Sequence, residues 1–432
     1  MLICTDYQII NNSKLSEFLY QLFIIVFQGL MRVGAWFSPK IKSGVEGRKN
    51  LLEKLETALP DITKGRPVAW FHAASLGEFE QGRPVMERFR KEFPGYFILL
   101  TFFSPSGYEI RKNYAGADYI CYLPIDTKKN AANFVRIVNP RIAFFIKYEF
   151  WYNYLRQLKN NNTHIVSFST IFRPDQVFFK PYGGFYRKLL TYFDHILVQN
   201  QESVMLLQSI GVNRHSLAGD TRFDRVTEIA GQAKDLPVIE KFVDGQFCLV
   251  AGSVWGKDME VLIPALNSMK GKIKVIIAPH EIKPEEIEGW RKQLTGSSVL
   301  YSAFKETTGN TSFDYLFIDN IGMLSSLYRY GNAAFIGGSF GSGLHNILEA
   351  ATFSLPVVFG NKGYYKFQEA LDLVQLGSAK AVSGSLEIEI LLKNWINDPQ
   401  LLFMEAEISR KYVADRTGAT EQVMLETRKL LV

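Results

Sequence analysis

The chain has 432 residues, too many for one ordinary hydrophobic core, so we expect two domains. Hydrophobic residues make up 47% of the chain and charged residues 21%, which excludes an intrinsically disordered protein. The formal net charge of +6 indicates an anionic partner, and three widely spaced cysteines (Cys4, Cys121, Cys248) argue against a disulfide framework or a zinc knuckle.

Near the N-terminus, "EFLYQLFIIVFQGLMRVGAWF" (residues 17–37) is apolar and neutral from Phe18 to Met31. As a helix this stretch rises about 21 Å, short of the roughly 30 Å hydrocarbon core of a bilayer. It has neither the basic lead-in nor the small-residue cleavage site of a secretory signal. Five cations follow: Arg32, Lys40, Lys42, Arg48 and Lys49. Such cations favour the anionic cytoplasmic leaflet, so residues 1–38 are predicted to associate with the membrane; the alternative is a buried core helix.

The rest of the chain alternates strand-like and helix-like segments in two series. The first series has the apolar runs "PVAWFHA", "YFILLTFF", "YICYLPI", "RIAFFIK", "HIVSFS" and "HILVQN". The second has "FCLVAGS", "KVIIAPH", "SVLYSA", "YLFID", "AAFIGGS" and "PVVFGN". Alternating strands and helices predict parallel sheets built from βαβ units. We therefore predict two Rossmann-like domains, residues 39–226 and 246–432, joined by a linker at residues 227–245.

In the first series, the stretch "HAASLGEFEQGRP" (residues 72–84) is a strand-to-helix turn with little side-chain bulk. Four small residues (Ala73, Ala74, Ser75, Gly77) are followed by one acid, Glu78. An acid near the start of a helix is stabilised as an anion by the helix dipole, which keeps its pKa low unless burial opposes it. The turn fits either a capping acid or a carboxylate that a substrate can approach.

In the second series, the strand ends are rich in Gly, Ser and Asn: "AGSVWGKD", "DNIGML" and "GGSFGSGLHNILEA". Backbone amides and glycines at such turns favour phosphate, and the hydroxyls of Ser253 and Ser339 could add donors. Glu349 could accept hydrogen bonds from a ribose; alternatively, Asn346 and Glu349 form a helix cap. No dinucleotide-binding fingerprint lies at the first strand-to-helix turn of either series, and the chain has no P-loop motif.

These motifs resemble those of the 3-deoxy-D-manno-octulosonic acid (Kdo) transferases, from about residue 18 to the C-terminus. The resemblance is carried by "HAASLGE", "TFFSPSG", "YLPID", "YEFWYN", "GDTRFD", "AGSVWGKDME", "IGML", "GGSFGSGLHNILEAA" and "LPVVFGN". It implies a GT-B architecture, with two Rossmann-like parallel-sheet domains facing across a cleft and a membrane-associating N-terminal helix.

The resemblance also implies an inverting transfer of Kdo from CMP-Kdo to a lipid A precursor, in lipopolysaccharide biosynthesis. Glu78 is then the general base that takes the proton of the acceptor hydroxyl. The implied donor-binding residues are Ser253, His280, Gly322, Met323, Gly338, Ser339, Asn346 and Glu349. Acceptor contact or structural support is expected from Ser75, Gly77, Glu149, Arg173 and Arg222.

The chain departs from the family pattern at three places. Lys147 and Tyr152 replace an acid and a proline around "YEFWYN", Arg222 stands where Lys is common, and "APHEI" keeps His280 without the adjacent Arg. No cluster has metal-ligand spacing, so we expect a metal-independent reaction. We also expect no cofactor and no nucleic-acid partner. The expected location is the cytoplasmic face of the inner membrane. Alternatives are a GT-B enzyme using a nucleotide-diphosphate sugar and a lipid acceptor, and a non-catalytic membrane-attached nucleotide-binding protein.

Overall fold

A computed structural model of the chain describes residues 2–305, 312–341 and 343–431, with side chains from residue 15 onward. The backbone divides into two compact units, residues 1–225 with 418–432 and residues 226–417. Each unit contains a parallel sheet with helices between its strands. The predicted fold class, two Rossmann-like α/β domains and an N-terminal apolar helix, is confirmed.

The first unit begins with a long helix and then alternates strands and helices. Its helices are α1 (Leu2–Gly34), α2 (Pro39–Glu46), α3 (Leu51–Thr63), α4 (Leu76–Glu92), α5 (Pro105–Arg111), α6 (Lys128–Val138), α7 (Tyr152–Asn160), α8 (Gly184–Leu190) and α9 (Gln201–Ser209). Its strands are β1 (Val68–Ala73), β2 (Phe97–Phe102), β3 (Tyr119–Tyr122), β4 (Pro140–Ile146), β5 (His164–Thr170), β6 (His195–Val198) and β7 (His215–Leu217).

Within the described part of this unit, seven parallel strands form one sheet in the order β3-β2-β1-β4-β5-β6-β7. The central strands read as unbroken apolar runs because helices cover both faces of a parallel sheet. Every residue of β1 and β2 is buried. The edge strand β7 was not predicted from the sequence, since its three residues, "HSL", are only partly covered and carry no apolar run.

The second unit repeats this plan. Its helices are α10 (Thr221–Gly231), which begins in the first unit, α11 (Pro237–Val243), α12 (Gly256–Ser268), α13 (Pro284–Gln293), α14 (Tyr301–Lys305), α15 (Leu324–Leu327), α16 (Leu348–Thr352), α17 (Gln368–Leu376), α18 (Ser385–Asn397) and α19 (Pro399–Ala414). Its strands are β8 (Cys248–Val254), β9 (Lys274–Pro279), β10 (Ser298–Leu300), β11 (Tyr315–Phe317), β12 (Ala333–Ile336), β13 (Val357–Gly360) and β14 (Ala379–Val382). In its described residues the sheet order is β10-β11-β9-β8-β12-β13-β14.

The domain boundaries differ from the predicted ones in two respects. The predicted linker, residues 227–245, is largely helical and belongs to the second unit. The last helix, α20 (Ala419–Leu431), belongs to the first unit, although residues 246–432 were predicted to form one domain. Its Val423 and Met424 are fully buried in the core beside β1 and α4, so the C-terminus completes the first domain.

In the part of α1 whose side chains are described, one side bonds to the rest of the first unit. The Tyr20 hydroxyl donates to a carboxylate oxygen of Asp126 at 2.6 Å, and the amides of Gln21 and Asn153 pair at 2.8 Å. Ile24 on the same side is 1% exposed, whereas Phe23 next to it is 60% exposed. Residues 15–34 are long and apolar enough to cross a membrane. This segment is thus bonded to the folded domain on one side and exposes apolar side chains on the other.

Candidate active site

In the first unit, the two segments with candidate acids follow neighbouring strands. Glu78 lies in the loop and helix after β1, and Glu149 lies in the loop after β4. The sheet order reverses between these strands, because β2 and β3 extend to one side of β1 while β4 to β7 extend to the other. Ligands of open α/β sheets bind at this kind of switch point, outside the carboxyl ends of the strands.

Glu78 occupies the first turn of α4, with Ser75 as the residue before the helix. Its carboxylate accepts a hydrogen bond from the backbone N–H of Ala74 at 2.5 Å. Burial raises the pKa of the Glu78 carboxyl to about 7, and the negative charge of Glu149 adds to the rise. The Ala74 N–H and the Lys147 ammonium oppose it. The low pKa expected at a helix start is therefore not found, because burial outweighs the helix dipole.

Glu149 is held by a chain of buried hydrogen bonds. Its Oε2 atom accepts from the Trp151 indole N–H at 2.5 Å and lies 3.2 Å from Nε2 of His72. His72 Nδ1 lies 2.8 Å from the Thr101 hydroxyl, which accepts from Trp70 Nε1 at 2.8 Å. A carboxylate oxygen accepts hydrogen bonds, so Nε2 of His72 is the donor to Glu149. The chain thereby fixes the Glu149 carboxylate beside Glu78.

The backbone at both switch points adopts left-handed conformations that are uncommon for residues with side chains. Lys147, directly after β4, has φ of 71°, and Ser253 near the end of β8 has φ of 53°. Such conformations cost free energy and cluster at functional sites. Ser253 was predicted as a donor-binding residue, and the structure places it at this strained strand end.

Substitution of Glu149 by Gln is expected to move the acidic limb of the pH–activity profile to lower pH. The change removes the negative charge that helps to raise the pKa of Glu78, so that pKa falls below about 7. The measurement is kcat/KM between pH 5 and pH 9. An acidic limb in Glu149→Gln at the wild-type position would show that the two carboxyl groups do not interact.

The remaining predicted residues of the first unit differ in their surroundings. Gly77 is exposed and an added Cβ would meet open space, so the turn leaves the approach to Glu78 clear. Arg173 is exposed and lies beside the Tyr148 ring of the "YEFWYN" segment. Arg222 donates to the Asp220 carboxylate at 2.8 Å from both Nε and Nη2, so its charge is used in a local pair.

In the second unit, the switch point lies between β8 and β12. Ser253 belongs to the end of β8, and the loop of residues 337–347 follows β12. Buried Asp258 organises both: its Oδ2 atom accepts from the N–H of Trp255 at 2.8 Å and from the N–H of Gly338 at 2.8 Å. Gly338 has φ of 95°, and a Cβ there would come within 2.1 Å of a backbone oxygen. Only glycine fits this position, because the backbone of the same loop folds back against it.

The side chains of Ser339, Asn346 and Glu349 make hydrogen bonds within the protein. The Ser339 hydroxyl is buried and faces the carbonyl oxygens of Gly360 and Lys362 at 2.5 and 2.7 Å, so it binds the protein backbone and is not free to donate to a phosphate. Asn346 accepts from the N–H of Leu348 at 3.2 Å and donates to Glu349 at 3.1 Å. The helix that follows, α16, begins after Ile347 without a side-chain cap, so these contacts differ from the cap with Asn346 at its start that was the alternative interpretation.

His280 follows β9 and stacks between two other rings. Its centroid lies 4.3 Å from that of Trp255 and 4.4 Å from that of His345. Gly322 and Met323 lie farther along the sheet, after β11, and Gly322 has φ of 90°. Sequence reasoning missed His72, Thr101, Trp255, Asp258 and His345 as site residues. All five lie within the quoted motifs, but their partners are distant in sequence.

Two parallel-sheet units, each with candidate ligand-binding residues at its switch point, are those of the GT-B fold. A UDP-GlcNAc 2-epimerase from Neisseria meningitidis has this fold, with a TM-score of 0.57 and 14% identity over 83% of this chain and 98% of its own. A family profile described as 3-deoxy-D-manno-octulosonic-acid transferase (kdotransferase) matches residues 49–225.

Two relatives extend this match. The chain is 27% identical to a 3-deoxy-D-manno-octulosonic acid transferase of Chlamydophila psittaci, over 81% of this chain and 82% of the relative. It is also 27% identical to one of Aquifex aeolicus, over 67% of this chain and 75% of the relative. The chain is therefore similar to Kdo transferases over most of its length.

Proposed function

We propose that this enzyme transfers Kdo from CMP-Kdo to a hydroxyl of a lipid A precursor at the cytoplasmic face of the inner membrane, with Glu78 as general base. The observation that carries the proposal is the Glu78 carboxyl, which lies at the switch point of the first sheet with its pKa raised to about 7. A base with a pKa near the working pH is both present in its ionised form and able to take a proton.

The proposed reaction is one displacement. Glu78 takes the proton of the acceptor hydroxyl as its oxygen forms a bond to the anomeric carbon of Kdo. The bond between that carbon and the phosphate oxygen of CMP breaks, and CMP leaves with the electron pair. Lys147 and the Ala74 N–H face the Glu78 carboxylate and stabilise its charge before the proton arrives. Glu149 opposes that charge and so makes Glu78 the stronger base.

The leaving phosphate is assigned to the second unit. The glycine-rich loop after β12 offers backbone N–H groups at the switch point, and Asp258 holds the loop in place. Fixed donors of this kind stabilise charge that develops in the transition state. In the described residues, no group of three or more His, Cys, Asp or Glu side chains could hold a metal ion. We therefore propose that protein donors alone stabilise the leaving group.

The acceptor is proposed to come from the membrane along α1. Ring centroids on the first unit form a continuous row: Phe23 to Phe27 at 6.1 Å, Phe27 to Phe103 at 6.1 Å, and Phe103 to Trp151 at 5.1 Å. The row starts at a largely exposed side chain of α1 and ends at the indole that binds Glu149. An apolar path from the lipid surface to the proposed base suits an acceptor with acyl chains.

The exposed side of α1 is expected to carry membrane binding. Replacing Phe23 and Leu30, 60% and 64% exposed, by Ser removes apolar surface without touching the buried side, so vesicle affinity should fall at least about 10-fold. Co-sedimentation with anionic phospholipid vesicles measures it. The matched control is Phe403→Ser with Met404→Ser, which are 65% and 56% exposed on the second unit. Equal loss in both double variants would contradict a role specific to α1.

One assay tests the function itself. The purified protein is incubated with CMP-Kdo and a tetraacylated lipid A precursor, and CMP release is followed with and without EDTA. The expected result is CMP release that depends on the acceptor and persists in EDTA. Release from a nucleotide-diphosphate sugar instead of CMP-Kdo would favour the other class of GT-B enzyme. No release from any donor would overturn the proposal.

A further inference from the structure

Three aromatic side chains stack at the carboxyl end of the second sheet. Trp255 follows β8, His280 follows β9 and His345 belongs to the loop after β12. The two imidazole rings are nearly parallel, at 19°, and His280 lies at 27° to the indole. The indole also donates a hydrogen bond from Nε1 to Nε2 of His345 at 2.9 Å. This last contact determines the protonation state of His345.

An indole N–H can only donate, so Nε2 of His345 must present a lone pair to it. A neutral imidazole carries one proton, and that proton is therefore on Nδ1. Among the described residues, none accepts a hydrogen bond from this Nδ1–H, although the side chain is half-buried. The structure thus presents an unused neutral hydrogen-bond donor at the switch point of the second sheet.

The surroundings keep the ring neutral. Burial lowers the pKa of His345 to about 4, and the electrostatic interaction with the neighbouring His280 imidazole adds to the fall. The other charged groups on the elements around it are Lys257 and Asp258 on α12, Glu281 after β9 and Glu349 on α16. Asp258 is occupied by the N–H groups of Trp255 and Gly338, both at 2.8 Å. Protonation of Nε2 would also break the bond to Trp255.

We propose that His345 donates a hydrogen bond from its Nδ1–H to a phosphate oxygen of the nucleotide donor. Trp255 holds the His345 imidazole in the tautomer that makes this hydrogen bond possible. The inference rests on the proposed function and adds two residues to it. His345 belongs to the glycine-rich loop after β12, at the carboxyl end of the sheet, where phosphate is bound in sheets of this type. Because the His345 imidazole stays neutral, its Nδ1–H donates in the same way throughout the neutral pH range, and phosphate binding does not depend on the charge of this ring.

Binding of CMP and of cytidine to the full-length protein tests the contact. His345→Phe keeps a flat ring against His280 but removes the donor, so CMP affinity should fall about 10–100-fold while cytidine affinity stays the same. His345→Gln retains a neutral N–H donor and is expected to bind CMP within about fivefold of wild type. Equal CMP affinity in His345→Phe and wild type would overturn the inference. Thermal unfolding of both variants checks that they are folded.

Trp255→Phe tests the tautomer. The substitution keeps an aromatic ring on His280 but removes the hydrogen bond to Nε2 of His345. At low pH the imidazole of the variant can carry protons on both nitrogens, so Nδ1 still donates. At higher pH its single proton can sit on Nε2, and the Nδ1 donor is then lost. The ratio of variant to wild-type Kd for CMP should then rise from pH 6 to pH 8; this ratio cancels the titration of CMP itself. Nitrogen NMR of His345 in the free wild-type protein should show protonated Nδ1. A proton on Nε2, or a ratio that does not change with pH, would overturn the role of Trp255.

Failure of this inference is distinguishable from failure of the proposed function. If the wild-type protein binds CMP and releases it from CMP-Kdo, but His345→Phe does so equally, only the His345 contact is wrong. If the wild-type protein binds no CMP, the proposed function fails and the phosphate contact with it.

Discussion

Substitution of Glu78 by Gln is expected to lower turnover by about 10²–10⁴-fold, the usual contribution of a general base. The amide has nearly the same size, and its oxygen can still accept from the Ala74 N–H, which is 2.5 Å from the carboxylate. It cannot take a proton at neutral pH. CMP binding should change little, because the proposed phosphate contacts belong to the second unit. Turnover and CMP affinity are measured on the same preparation.

The same substitution is expected to raise stability at pH 8. Because the folded protein holds the Glu78 proton with a pKa of about 7 instead of 4.5, this group stabilises the fold at low pH and loses that contribution as pH rises through 7. A neutral Gln removes the cost of a buried charge beside Glu149, a gain on the order of 1–2 kcal/mol at pH 8 that disappears near pH 4.

The matched control is Glu80→Gln on the same helix, where the carboxylate pairs with Arg111 at 2.6 Å on the surface. We expect near-normal turnover and a change in unfolding free energy below about 1 kcal/mol. If Glu78 were only a capping acid, Glu78→Gln would keep its turnover and lose about 1 kcal/mol of stability. Near-normal turnover in Glu78→Gln would contradict the proposed mechanism and would leave the resemblance to Kdo transferases unchanged.

Substitution of Asp258 by Ala is expected to destabilise the second unit by about 2–4 kcal/mol and to abolish CMP binding. The carboxylate is 1% exposed and accepts the N–H groups of Trp255 and Gly338 through a single oxygen, Oδ2. Removing it leaves both buried N–H groups without an acceptor and frees the loop after β12. Urea unfolding gives the change in free energy, and titration with CMP gives the affinity.

The control for this prediction is Asp258→Asn. Its side-chain oxygen can occupy the position of Oδ2 and accept both N–H groups, so we expect it to keep most of the stability and CMP affinity. A loss in Asp258→Asn as large as in Asp258→Ala would show that the negative charge, not the hydrogen bonds, organises the loop. Wild-type CMP affinity in Asp258→Ala would contradict the assignment of this loop to the phosphate.

The central strands and the resemblance to Kdo transferases could be predicted from the sequence, because both depend on continuous segments. Strands such as β1 and β4 are buried on both faces and therefore appear as unbroken apolar runs. Edge strands β7 and β14 escaped notice because an edge strand is short and only partly covered. The return of α20 to the first unit was missed for a related reason: its pattern shows an apolar face, but not which core covers it.

Some features of the candidate site could likewise be predicted from local sequence, whereas others depend on distant partners. Glu78, Ser253 and Gly338 were predicted because local turn chemistry, small residues and glycine, marks a strand-to-helix turn along the chain itself. Their roles in the reaction remain proposals. The sequence by itself also determined that the N-terminal helix is apolar enough to meet a membrane. It left open which side of that helix is buried, because the choice depends on partners such as Asp126.

Only the tertiary structure decided the electrostatics. Glu78 and Glu149 are 71 residues apart, yet neighbouring strands bring their carboxylates together, and burial raises the Glu78 pKa to about 7. Trp255 and His345 are 90 residues apart, and their hydrogen bond sets the tautomer of the imidazole. A sequence specifies which groups can titrate or donate. Desolvation and contacts between distant segments determine whether such a group is charged and which way its hydrogen bonds run. Both arise only once the chain has folded.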